Sequence, residues 1–189
     1  MTINYDEIMN LTSENVEISY SDKDSILYSL GIGLGNDPMN LNELKYVYEN
    51  SQSVLPSMAT NFQYHYPLLL KTNINFIMVV HGEQRLSITN ALPVSGDFIA
   101  NAKVIGCFDK GPARGAIIEV ETTVKNKKNN EEICKLVSTT FARGDGGFGG
   151  PDSPKKEIFI PDGEPDYVSE VSTKPDQALI FLSLIHIWR

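Results

Sequence analysis

Apolar and polar residues alternate most regularly in the middle of the chain. Phe98, Ala100, Ala102 and Val104 alternate with Ile99, Asn101, Lys103 and Ile105; Ile118, Val120, Thr122 and Val124 alternate with Glu119, Glu121 and Thr123; a third run extends from Ile133 to Phe141. A period of two marks a strand with one buried side. Asp109-Lys110-Gly111-Pro112 separates the first two runs, and a tip rich in Asn and Lys separates the second from the third. Connections this short make consecutive strands antiparallel neighbours, and their polar sides predict a sheet that is open on one face and covered on the other.

Upstream, an apolar run from Ile74 to Val80 is interrupted by His81-Gly82-Glu83-Gln84. Beyond it Gln84, Leu86 and Ile88 fall on one side and Glu83, Arg85 and Ser87 on the other. This aims Glu83 away from the apolar side, where it faces water, pairs with Arg85 or a lysine, or serves a site. Further upstream, Ser21 is an N-cap candidate ahead of Asp22-Lys23-Asp24, with Ile26, Leu27 and Leu30 at helical spacing before Gly31. The residues Leu44-Lys45-Tyr46-Val47-Tyr48-Glu49 suit a short strand. From Ser57 to Pro67 no period emerges; Met58, Phe62, Tyr64 and Tyr66 supply apolar surface for a core or pocket, and His65 reads as a half-buried structural histidine.

The chain has 189 residues with 41% hydrophobic and 21% charged content, the balance of one ordinary globular domain rather than two. A formal net charge of -8 argues against nucleic acid as a partner, and Lys125, Lys127 and Lys128 read as a solvated hairpin tip. Gly31, Gly33 and Gly35 follow a helix rather than a strand, so a dinucleotide loop is not expected. Cys107 and Cys134 lack any metal-ligand spacing; two buried, reduced thiols are the default, with a disulfide as the alternative. Residues 1–12 lack the basic start and apolar run of a secretory signal, and the apolar run 178–188 is too short to cross a bilayer, which predicts a soluble intracellular protein.

The third run ends in Gly144-Asp145-Gly146-Gly147-Phe148-Gly149-Gly150, either a flexible exit or a binding lip whose backbone approaches a ligand closely. A Pro-rich stretch then follows, carrying Pro151, Pro154, Pro161, Pro165 and Pro175. Its composition is that of a linker, and a new element starts near Asp176.

Six segments in family order resemble eukaryotic 2-enoyl-CoA hydratase 2, the MaoC-like hydratase unit of peroxisomal multifunctional enzyme type 2. They are Tyr28-Ser29-Leu30-Gly31-Ile32-Gly33, Leu44-Lys45-Tyr46-Val47-Tyr48-Glu49, Leu55-Pro56, Ile74-Asn75-Phe76, His81-Gly82-Glu83-Gln84 and Gly146-Gly147-Phe148-Gly149-Gly150. The resemblance implies an α+β hot-dog fold, an antiparallel sheet wrapped around a central helix that is short or eroded and leaves room for an acyl chain. It implies residues 1–150 as the first of two tandem hot-dog units, 151–175 as the linker and 176–189 as the start of the second unit.

The implied reaction adds water across the trans-2 double bond of an enoyl-CoA to give a (3R)-hydroxyacyl-CoA, a step of peroxisomal fatty-acid β-oxidation. It uses no cofactor, because the CoA thioester is the substrate. The resemblance puts the water-activating Asp and His in a motif of the second unit, roughly S-G-D-x-N-P-L-H. Here Asp176-Gln177-Ala178-Leu179-Ile180-Phe181-Leu182-Ser183 resembles the approach to that motif, but Leu184-Ile185 stands where Gly-Asp is expected, and His186 is out of register. No catalytic residue is therefore assigned in this chain, the fragment is expected to be inactive alone, and residues 184–189 are expected to be a non-native ending.

His81, Glu83 and Gln84 are expected to support the active site across the interface between units, and Gly146, Gly147, Phe148 and Gly149 to lie near bound CoA. The implied partners are the substrate, the second hot-dog unit and, in the intact protein, a second copy as homodimer. A non-catalytic acyl-binding or dimerisation module is the alternative. A hot-dog thioesterase is disfavoured because Ser57–Pro67 holds no Asp or Glu. Open sheet edges and an unfilled central groove would make the isolated chain associate.

Overall fold

A computed structural model describes residues 3–63, 65–154 and 160–185. The elements are α1 (Tyr5–Met9), β1 (Thr12–Tyr20), α2 (Asp22–Gly31), α3 (Leu41–Val47), a 3-10 segment (Pro56–Phe62), α4 (His65–Leu69), a 3-10 turn (Phe76–Met78), β2 (Val79–Ile88), β3 (Gly96–Asp109), β4 (Ala116–Asn126), β5 (Glu132–Ala142) and α5 (Gln177–Ile185). The strands form one five-stranded sheet in the order β1-β3-β4-β5-β2. The expected meander is its centre, and β2 crosses over to pair antiparallel with β5 at one edge.

The alternating side chains of β4 show how the sheet divides. Ala116, Ile118, Val120, Thr122 and Val124 are buried, whereas Ile117, Glu119, Glu121 and Thr123 are only partly covered. The second set belongs to a charged outer face on which Arg85 meets Glu119 at 2.8 Å and Lys103 meets Glu121 at 3.3 Å. On the inner face the helical layer supplies the cover.

That layer is short and broken, as expected for an eroded central helix, but the groove it was expected to leave open is filled. Met58, Ala59, Phe62, Leu68 and Leu69 are each no more than 1% exposed and pack against the sheet. Tyr64 and the side chain of His65 lie outside the described residues. Tyr66 is half-exposed and meets the ring of Phe76 edge-on.

The inner core falls into two clusters. Leu68, Leu69, Val104, Ile118, Val120 and Ala142 belong to one, around α4; Met58, Phe62, Phe98, Val124, Cys134 and Leu136 belong to the other, around the 3-10 segment. Tyr20, Phe62 and Phe98 stack in the second, with ring centroids 5.2–5.6 Å apart. Cys107 and Cys134 are buried and unbridged, as expected.

Ser21 caps α2 as its position predicted: its hydroxyl accepts the Asp24 N–H while the Asp24 carboxylate accepts the Ser21 N–H, a reciprocal pair that satisfies two orphan donors. The buried side of α2 differs from the one its apolar residues suggested. Ser25, Tyr28 and Ser29 are buried, and Leu30 is 44% exposed. The serines manage this by donating to main-chain carbonyls: Ser25 Oγ to Val94 O, distant along the chain, at 2.9 Å and Ser29 Oγ to Ser25 O, one turn back, at 3.0 Å.

The expected strand at 44–49 is instead α3 followed by an extended exit. Asn40 caps the helix by accepting the Asn42 N–H at 3.1 Å, and Glu43 accepts the Gly35 N–H at 2.9 Å. Two local hydrogen bonds at the first turn outweigh the weak β-preference of Tyr46 and Val47. α1 and β1 were not anticipated. Val16 and Ile18 alternate with polar residues, but Asn15, at φ 55°, sits in a bulge where the register shifts.

Candidate functional site

The segment His81-Gly82-Glu83-Gln84 lies on the edge strand β2, and strict alternation would place His81 and Glu83 on the same side. The structure separates them. His81 pairs with Thr140 and Glu83 with Thr139, so one residue is extra at Gly82. Paired residues share a face, and the bulge therefore turns His81 towards the face of Thr140 and Gln84 while Glu83 stays on the outer face with Arg85. Gly82 sits close to the partner strand: a Cβ there would lie 3.2 Å from the carbonyl oxygen of Thr139, a tight contact.

Around Glu83 the outer face is polar and charged. Glu83, Thr139 and Glu119 stand in one cross-strand row over β2, β5 and β4. Arg85 Nη2 donates to Glu119 Oε1 at 2.8 Å, so this arginine is engaged by Glu119. The three charged side chains and Thr139 line an open cleft, with Phe108, Ile117, Ser153 and Pro154 around it.

Gln84 behaves differently. It reaches inward, where Ser138 Oγ lies 2.7 Å from Gln84 Oε1 and 3.0 Å from Gln63 Oε1. Ser138 is 1% exposed. A hydroxyl has one proton to donate, so Ser138 serves one of these two carboxamide oxygens at a time.

The glycine segment is folded back against the β3–β4 turn by a residue that the sequence reading took only for part of that turn. The carboxylate of Asp109, 8% exposed, accepts N–H groups from Gly147 at 2.7 Å, Gly149 at 2.7 Å and Gly111 at 2.8 Å. These bonds, led by that from Gly147, hold its pKa below the usual carboxylate range against the opposing effect of burial. Gly146 fits only because it has no side chain: a Cβ would sit 2.1 Å from the carbonyl oxygen of Gly111. Phe148 stacks on Tyr5, centroids 6.5 Å apart.

The start of the same loop is tied to the residues leading into β2. Asp145 Oδ2 accepts the Asn75 N–H at 3.0 Å, and Arg143 N–H donates to Met78 O at 3.1 Å. The two sequence-predicted groups, the glycine loop and the β2 motif, are thus joined through 75–78. Asp145 makes the side-chain part of that link, whereas Asp109 ties the glycines to the β3–β4 turn. The sequence signal for Asp109 was its place at the end of a strand opposite a glycine cluster, which is not distinctive on its own.

Neither thiol adds a nucleophile. Burial, aided by the charge of Asp109, pushes Cys107 up to about 11; burial, aided by Glu132, pushes Cys134 up to about 12. Among the described residues no group of three or more His, Cys, Asp or Glu side chains could hold a metal ion. Also among them, no helix is long and apolar enough to cross a membrane.

A family model described as the MFE-2 hydratase 2 N-terminal domain matches residues 18–144. The chain is 34% identical to a probable enoyl-CoA hydratase 2 of Dictyostelium discoideum over 96% of its own length and 63% of the relative's. It is 32% identical to enoyl-CoA hydratase ChsH3 of Mycobacterium tuberculosis over 96% of its length and 64% of that protein. Among solved structures, full-length peroxisomal multifunctional enzyme type 2 from Drosophila melanogaster matches 92% of this chain and 30% of its own, with TM-score 0.71 and 27% identity. A MaoC-like dehydratase from Phytophthora capsici matches 97% of this chain and 64% of its own, with TM-score 0.76 and 27% identity. The chain spans just under two thirds of the two curated relatives named here. Its antiparallel sheet, its broken helical layer and these matches agree: the chain belongs to the enoyl-CoA hydratase 2 family, as the N-terminal hot-dog domain of the MaoC-like hydratases.

Proposed function

We propose that this chain is the acyl-binding first unit of a (3R)-specific trans-2-enoyl-CoA hydratase and that a second hot-dog unit supplies the groups that activate water. The observation that carries the reading is the match of residues 18–144 to the N-terminal domain of hydratase 2. Residues 1–150 form the first unit in this reading, 151–175 the linker, and 176–189 the approach to the second. The described part of 160–176 is exposed and carries no helix or strand, which suits a linker.

In the proposed reaction a general base removes a proton from water as it attacks the β-carbon. N–H donors stabilise the enolate that develops on the thioester, and a proton is returned to the α-carbon. Glu83 is given an orienting role: it stands on the edge strand of the sheet, where a neighbouring unit has access, and a charged row fixes its surroundings. Gly146–Gly149 are placed near CoA, with Asp109 holding the loop in shape. Assembly of the intact protein as a homodimer and residence in the peroxisome belong to the same proposal. The Drosophila relative's name supports the peroxisome, while the name of the M. tuberculosis relative does not mention it.

The test is complementation. The chain and the C-terminal half of the Dictyostelium relative, expressed separately, are mixed with trans-2-decenoyl-CoA. Turnover is expected only with both present, and Glu83→Gln is expected to lower it roughly 10- to 100-fold. Hydration by the C-terminal half alone at the rate of the mixture would remove the first unit from the reaction. A non-catalytic acyl-binding or dimerisation module is the remaining reading, and no observation favours it over the first.

A further inference from the structure

Buried polar residues lie between the two apolar clusters on β4 and β5. On β5 the inner-facing residues run Leu136, Ser138, Thr140, Ala142; Leu136 belongs to the cluster beneath the 3-10 segment and Ala142 to the one beneath α4. On β4, Thr122 stands between Val120 of one cluster and Val124 of the other. Thr122, Ser138 and Thr140 are each no more than 2% exposed. A polar seam on β4 and β5 therefore lies between the two clusters on that side of the sheet, while on β3 Ala100 of one cluster is followed by Ala102 of the other. Gln84 closes it at the sheet edge. Gln63, at the junction between the 3-10 segment and α4, closes it from the helical layer.

We propose that Ser138, gripped between Gln63 and Gln84, is a latch that determines how long an acyl chain the domain admits. This rests on the acyl-binding reading above. The groove is filled by Met58, Phe62, Leu68 and Leu69, so a chain enters only where part of the helical layer lifts. Because the layer is in two pieces over two clusters, one piece can lift while the other stays seated. A short acyl chain then occupies one cluster and leaves the seam intact. A long one that runs along β5 passes Ser138, separates it from Gln63 and buries a hydroxyl against methylene groups, where it has lost a partner. The penalty falls on long chains alone, which makes Ser138 a specificity-determining residue with no part in the chemistry.

Titration calorimetry of the 189-residue chain with hexanoyl-CoA and hexadecanoyl-CoA tests this, on wild type, Ser138→Ala and Gln63→Ala. In wild type the long thioester gains less affinity over the short one than its added methylenes would provide. Both variants are expected to tighten hexadecanoyl-CoA about tenfold, the effect of removing one unsatisfied buried hydrogen bond, while hexanoyl-CoA changes less than about twofold. Two variants are used so that a folding failure in one leaves the other to decide. Equal shifts for both thioesters, or none for either, overturn the latch and leave acyl binding standing. Failure of wild type to bind either thioester removes the acyl-binding reading, and the latch with it.

Discussion

Asp109→Ala frees the glycine loop and destabilises the domain by about 3 kcal/mol, because three N–H groups lose a charged acceptor and are left against the β3–β4 turn. Hydrogen exchange reads this directly, as loss of protection at the amides of Gly111, Gly147 and Gly149. Asp109→Asn keeps one carbonyl acceptor and is expected to fall between wild type and alanine. The pH dependence has a fixed sign. A carboxylate whose folded pKa is lowered contributes stability that is complete above the ordinary Asp value of about 4 and is lost as pH falls through the folded value. Protection at Gly147 and Gly149 should therefore hold at neutral pH and decline only below about pH 4, and Asp109→Asn should abolish that acid step. Protection of the loop that survives Asp109→Ala would show that Phe148 on Tyr5 holds it instead.

Phe62→Ala costs more. The ring is 1% exposed and stacks on Tyr20 and Phe98 with centroids 5.5 and 5.6 Å away, so its removal leaves a cavity at the centre of the second cluster. Phe→Ala changes at such sites cost about 3–5 kcal/mol. At about 2–4 °C per kcal/mol for a domain of this size, the melting temperature should drop by roughly 6–20 °C. A drop under about 2 °C would mean that the broken helical layer collapses into the space, and that the groove is far more adaptable than its packing indicates.

Much of the sheet was legible in the sequence because burial on one face forces a period of two. Phe98–Val104 and Ile118–Val124 display it, and each became the centre of a strand; Ile133–Phe141 does not alternate cleanly but follows a hairpin tip and is rich in strand formers. The cap at Ser21 was legible for the same kind of reason: an N-cap residue and an acid three positions later have one local use. α3 was not, because Tyr46 and Val47 look like strand residues unless the two side-chain bonds from Asn40 and Glu43 are known. The inward face of α2 was missed because serine reads as polar, although Ser25 and Ser29 satisfy their hydroxyls against nearby carbonyls and tolerate burial.

The candidate site shows the same limit. Alternation separated Glu83 from Gln84 correctly, but the bulge at Gly82 that puts His81 on the face opposite Glu83 depends on pairing with Thr139 and Thr140, more than 50 residues away. Asp109 was hidden for a related reason. Its partners lie across a loop closure of about 40 residues, and no local pattern announces such a bond.

The division of labour between two hot-dog units is tested most directly by incubating the chain alone with trans-2-decenoyl-CoA and following both the heat of binding and the fate of the thioester. Saturable one-to-one binding with the enoyl-CoA recovered unchanged is the predicted result. Formation of 3-hydroxydecanoyl-CoA, or no binding at all, would contradict it.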